Sequence, residues 1–150
     1  MPGPLYKRIK NRETITLDNG DQLDIDKYLS PDRPGKKCTI LGDCSAVSDS
    51  MVALAASSEV LVHEATLENG FEEKAVGNGH STPRLACSVA KRVGASCLIL
   101  NHFSQRYKPI GYVSEAGEEA EASVQKLLDE AKAGFDGEVV AAYDMYSHKF

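Results

Sequence analysis

The sequence has no run of roughly 20 apolar residues, so nothing in it reads as a membrane-spanning helix. It has no tryptophan, and aromatic residues make up only 7% of it, which leaves few rings on which nucleic-acid bases could stack. Cysteine is sparse: Cys38, Cys44, Cys87 and Cys97 show no C-x-x-C pairing and fall far short of the density of a disulfide-stapled secreted domain. All four lie in or beside apolar runs and read as reduced core thiols, with Cys44 set apart because it follows Asp43 at a strand end. Positive charge is not in excess; the net charge of −5 does not advertise a general nucleic-acid binder. The opening "MPGPLYKRIKNR" lacks the apolar core of a signal peptide, so the expected compartment is the cytosol or nucleus. Repeats and low-complexity segments are missing too.

What is present is one domain's worth of chain: 150 residues, 42% hydrophobic and 26% charged. Charge is unevenly spread. "YKRIKNR" holds four of the 17 basic residues, whereas "SEAGEEAEASVQKLLDE" is strongly acidic and reads as a solvated surface. Asn19-Gly20 sits inside an alternating stretch and signals a hairpin. "CTILGD" reads as a buried strand, "SMVALAASS" as a short helix and "EVLVHEAT" as a second strand. Pro83 and Gly94 bracket a helix, residues 97–100 form a third strand, 114–135 an amphipathic helix and "GEVVAAYD" a last strand. Strands alternating with helices predict an α/β layered sheet, and in such sheets the carboxyl ends of the strands gather the ligand-binding side chains.

Asp43, His63-Glu64, His102 and Asp144 fall at such ends. Taken singly, each has a bland reading: Asp43 as a turn or cap residue, His63 and His80 as imidazoles satisfied by backbone carbonyls. As a set they are more suggestive, because three of the four histidines occupy junctions between elements. Asp and His are ligand types that suit zinc, and two such ions serve phosphodiester hydrolysis. On these residues alone, a metal-assisted hydrolase and an α/β domain of unassigned chemistry both stay open.

"LGDCS", "VLVHEATLENG", "GHSTPRLA" and "LNHFSQRYKP", in this order and at these separations, resemble the C-terminal half of tRNase Z, the short form above all. tRNase Z is a zinc endoribonuclease of the metallo-β-lactamase superfamily. "PGPLYKRIKNRETITLDNG" resembles that family's basic loop and following hairpin, so the likeness runs from about residue 2 to about residue 145. The resemblance implies half of an αββα sandwich that cuts the 3′ trailer from pre-tRNA, using two zinc ions in the complete enzyme. It implies that Asp43 bridges the ions, that His102 ligates one of them, and that His80 is a catalytic acid rather than a ligand. Glu64 would orient a histidine, and Arg106, Lys7, Arg8 and Lys10 would meet tRNA phosphates.

The same resemblance exposes what is not here. The paired histidines of the superfamily's main metal motif, its Asp-His pair, a further histidine and the tRNA-gripping arm have no counterpart. Residues 1–150 are therefore expected to be the C-terminal portion of the domain, with Met1 before "PGP" hinting at an internal start. This portion should bind zinc weakly and cleave poorly alone. Its inner sheet face is expected to lie open unless a homodimer partner or a complementing N-terminal half covers it. Two rivals are a non-catalytic half-domain that associates with a full-length partner, and another metallo-β-lactamase-type phosphodiesterase.

Overall fold

The structure is a computed structural model that describes residues 3–31, 33, 35–113 and 122–149. It divides into two compact units, Met1–Gly35 and Lys36–Phe150. In the first unit the basic run is a helix rather than the expected loop: α1 spans Pro4–Lys10. Proline in the first turn costs no hydrogen bond, since that N–H would have no partner anyway. Lys7, Arg8 and Lys10 fall in the last turn, where cations face the carbonyl end of the helix dipole. The Asn19-Gly20 turn forms, with Gly20 at φ 86°, but pairing stays local. It consists of one antiparallel bridge, Thr16 with Gln22, flanked by the Leu17–Asp21 and Leu23–Ile15 backbone bonds. A 3-10 turn at Ile25–Lys27 follows.

The second unit is built on four parallel strands in the order β1 (Cys38–Ile40), β2 (Val60–Glu64), β3 (Cys97–Asn101) and β4 (Glu138–Ala141). Helices α2 (Asp49–Ala55), α3 (Glu72–Gly77), α4 (Pro83–Val93) and α5 (Val124–Gly134) lie in the connections. Strand order equals chain order, so crossovers of a single hand place their helices on one face of the sheet. That face carries the main core. Leu61, Leu98, Leu100 and Val139 meet Ala55 of α2, Ala86, Cys87 and Ala90 of α4, and Leu127, Leu128 and Ala131 of α5. Gly94 ends α4 in the left-handed region at φ 76°, which explains the sharp stop after Val93. A side chain at Gly137 would run into the Ser96 carbonyl and the Phe135 ring, so this glycine lets β4 enter close beside β3.

Four expectations need correction. α5 begins at Val124, because Ser123 is extended and caps it by accepting from the Gln125 N–H; residues 114–121 lie outside the described residues. α3, not anticipated, adds a turn of helix before His80. The opposite sheet face is not open along its length: Val60, Cys97 and Ile99 are buried there beside Val62, Val140, Ala142 and Tyr146. Tyr146, from the segment after β4, covers part of it, while β1, expected as a buried strand, is an edge strand whose Cys38 and Ile40 stay exposed, Ile40 at 72%. Among the described residues, no helix is long and apolar enough to cross a membrane.

Candidate metal and phosphodiester site

The carboxyl ends of β1, β2 and β3 converge, as the parallel register requires: His63 and Glu64 of β2 stand opposite Leu100 and Asn101 of β3. Glu64 is the centre of the arrangement, fully buried at 0% exposure. Its Oε1 accepts from the Cys44 N–H at 2.7 Å and faces His80 Nδ1 at 3.2 Å. Its Oε2 accepts from the Ser81 N–H at 2.9 Å and from the Thr66 hydroxyl at 2.5 Å. Burial would raise the carboxyl's pKa, but the hydrogen bonds from Thr66, Ser81, Cys44 and His80 together hold it below the usual value.

Thr66 extends this influence. Its hydroxyl donates to Glu64, which leaves its oxygen to accept from His102 Nδ1 at 2.9 Å. One buried carboxylate therefore orients two imidazoles: His80 directly and His102 through Thr66. In both, Nδ1 is engaged as a donor and Nε2 remains for other chemistry, the arrangement by which outer hydrogen bonds fix ligating histidines. His102 Nε2 lies 3.5 Å from Asp43 Oδ2. The His80 and His102 rings are 5.1 Å apart, and one ligand atom from each of Asp43, His80 and His102 lies within 4.8 Å of the others. His102 itself has φ 54°, a backbone conformation uncommon outside glycine, which turns the chain sharply where β3 ends.

The structure thus brings Asp43, Glu64, His80 and His102 together. His63 is not among them. It is buried, its Nδ1 donates to the Glu64 carbonyl at 2.8 Å, and its Nε2 faces Cys44 Sγ at 3.7 Å. Burial lowers its pKa, so it sits as the neutral imidazole that the bland reading anticipated. Asp144 is exposed beyond β4 and takes no part in the group. Arg106 is exposed in the turn after His102. In the first unit Arg8 is tied to Glu13 at 3.2 Å and to the Thr14 carbonyl, while Lys10 lies 5.1 Å from the Tyr6 ring. Sequence reasoning passed over Thr66, although its place in "HEAT", two residues beyond Glu64, was a usable clue. Of the cysteines, Cys87 and Cys97 are buried, but Cys38 is exposed and is not a core thiol.

A parallel sheet with helices on one face and an Asp-His cluster at its carboxyl ends is one part of a metallo-β-lactamase fold. The metallo-β-lactamase fold protein YhfI of Bacillus subtilis overlays 73% of the chain with a TM-score of 0.55, at 23% identity, and the chain covers 38% of it. The short form of human tRNase Z (ELAC1) overlays 75% with a TM-score of 0.52 at 36% identity, and 32% of that chain is covered. In sequence the chain is 42% identical to zinc phosphodiesterase ELAC protein 1 of Mus musculus over 129 residues, 85% of this chain and 36% of that one. It is 43% identical to ribonuclease BN of Cronobacter sakazakii over 141 residues, 94% of this chain and 42% of that one. It is 48% identical to ribonuclease Z of Streptococcus suis over 105 residues, 70% of this chain and 34% of that one. No family model matches the chain. These likenesses place it in the ribonuclease Z family, and it spans only about a third of the length of the relatives it matches.

Proposed function

We propose that Asp43, Glu64, His80 and His102 form one part of the active site of a zinc-dependent endoribonuclease that removes the 3′ trailer from pre-tRNA. On this reading residues 1–150 are the C-terminal portion of the metallo-β-lactamase-like domain, and the remaining ligands come from a complementing N-terminal part. The observation that carries it is the single buried carboxylate, Glu64, that orients both His80 and His102 around Asp43. The family and the names of its zinc phosphodiesterase and ribonuclease Z members supply the substrate class and the metal.

The donor chemistry fits zinc in kind, a carboxylate and imidazoles, but not in number. Asp43 and His102 would hold the metal, and two groups shared between two ions fall short of the three protein ligands a catalytic zinc usually takes. When bound, zinc supplies Lewis acidity toward the phosphodiester. The chain's own residues do the rest. Glu64 fixes the His80 ring through Nδ1, so that Nε2 can hand a proton to the leaving 3′ oxygen. Thr66 keeps His102 Nε2 turned toward Asp43. Arg106, Lys7, Arg8 and Lys10 would meet RNA phosphates, recognising backbone and shape rather than bases. A homodimer, and a place in the cytosol or nucleus, belong to the same proposal.

Complementation tests it. The chain alone is expected to bind zinc weakly and to leave pre-tRNA largely uncut, and cleavage should appear when the missing N-terminal part is supplied. In the completed enzyme His80→Ala should lower turnover by about 10²–10⁴ with zinc content unchanged, whereas Asp43→Ala should lose metal and activity together. Full cleavage by the chain alone would overturn the ligand count. If both substitutions left turnover in the completed enzyme unchanged, the non-catalytic half-domain would replace the enzyme reading.

A further inference from the structure

A second set of ligand-type side chains sits at the opposite, amino end of the sheet. Cys97 opens β3 and Glu138 opens β4, and the two are register partners, so their side chains stand on the same face. His148 reaches that face from the segment after β4. One ligand atom from each of Cys97, Glu138 and His148 lies within 4.8 Å of the others. These residues come from three separate segments, and nothing in the proposed phosphodiester chemistry uses them.

We propose that Cys97, Glu138 and His148 form a binding site for a borderline-soft divalent cation of the zinc type, separate from the Asp43 cluster. A thiolate, an imidazole and a carboxylate are ligands that zinc accepts at about 2.0–2.3 Å, which sets ligand atoms about 3.5 Å apart around a tetrahedral ion. The present spacing closes to that value by a movement of about 1 Å. Glu138 is exposed and His148 half-buried, so both have room to make it, while Cys97, 4% exposed, is the fixed point. The Tyr146 hydroxyl, 3.1 Å from His148 Nδ1, steadies the imidazole as outer hydrogen bonds do at metal sites.

Binding has to displace a proton. Burial first, then the neighbouring Glu138 and Cys38, push the Cys97 thiol up to about 11, so without an ion the sulfur carries its proton. On binding, the S–H bond is replaced by an S–metal bond and the proton leaves to water. Three protein ligands leave one position for water or a further donor. The ion would tie the segment that carries Tyr146 and His148 to β3 and β4, holding it over the apolar face where Val60, Cys97 and Ile99 are buried.

Cobalt(II) is the probe, because thiolate ligation gives a near-ultraviolet charge-transfer band that carboxylates and imidazoles do not. The full chain should show this band, saturating at one ion per thiolate site, and Cys97→Ser should abolish it. Tyr146→Phe should weaken cobalt binding about tenfold, and Glu138→Gln and His148→Gln by more than that. The band should survive in Cys44→Ser and in the Asp43→Ala, His102→Ala double variant. Absence of the band in folded wild-type protein overturns the proposal. So does a band that survives Cys97→Ser and vanishes in Cys44→Ser, which would assign the thiolate to the other end of the sheet. If Cys97→Ser does not fold, unchanged cobalt affinity in the two surface variants, Glu138→Gln and His148→Gln, overturns it equally.

Discussion

The two ends of the sheet are built from the same strands yet solve the burial of polar groups in opposite ways. At the carboxyl end the carboxylate is inside: Glu64 is fully buried and surrounded by donors from Cys44, Thr66, His80 and Ser81. At the amino end the carboxylate, Glu138, is outside, and the buried group is the Cys97 thiol. The first end is organised before any ligand arrives, because every donor on Glu64 belongs to the fold. The second has its anchor, Cys97, in place, with Glu138 exposed and His148 held against Tyr146. A buried charge that is fully satisfied rigidifies its surroundings, whereas a neutral buried thiol makes no such demand on its neighbours.

Substitution at the two carboxylates should separate them most. Glu64→Ala strands the Cys44 and Ser81 N–H groups, the Thr66 hydroxyl and the His80 ring at once. It should lower stability by about 3 kcal/mol or more in urea unfolding, with Glu138→Ala within about 0.5 kcal/mol of wild type in the absence of metal. Equal losses at the two sites would mean that Glu64 is not the keystone its contacts suggest.

Acid should strike the carboxyl end in two steps. The folded pKa of His63 lies below its ordinary 6.5, so its stability contribution is present above that value and drains away as pH falls through the folded pKa. Glu64 is likewise depressed below 4.5, and its contribution is present above 4.5 and lost at lower pH. Stability measured by urea unfolding should therefore fall from about pH 6.5 downward and again below 4.5. His63→Gln should remove the upper phase and Glu64→Gln the lower. A flat profile from pH 7 to 4.5 would contradict the burial of His63, and a flat one below 4.5 the hydrogen bonds that hold Glu64 down.

The finest distinction concerns Thr66. Thr66→Val deletes the hydroxyl between Glu64 and His102 while keeping side-chain volume, and should cost about 1 kcal/mol. In the completed enzyme it should also weaken zinc about tenfold through His102 without touching the thiolate–cobalt band of the other end. Equal weakening at both ends would point to a change in the fold rather than in one histidine.

Much of this architecture was legible in the residues. Short, mostly apolar runs just before Asp43, His63-Glu64 and His102 announced strands and the end at which polar chemistry gathers, because a buried strand such as β2 or β3 must be apolar and its chain must surface where it stops. Pro83 and Gly94 bounded α4 for local steric reasons. The basic run was misread as a loop because its seven residues bury nothing, leaving no apolar stripe to betray the helix. α5 was drawn too long because the acidic run has good helix formers, and only the capping of Ser123 reveals where the turn begins.

The sequence by itself determined the order of the strands, the residues that bound α4 and the identity of Asp43, Glu64, His80 and His102 as candidates, since these follow from local periodicity, turn chemistry and motif. Only the tertiary structure decided that Glu64 serves His80 directly and His102 through Thr66, that His63 turns away toward Cys44, and that Cys97, Glu138 and His148 meet. Those facts depend on register between strands and on where the chain goes after β4. Contacts between residues tens of positions apart are set by packing of the whole sheet, which no local pattern records.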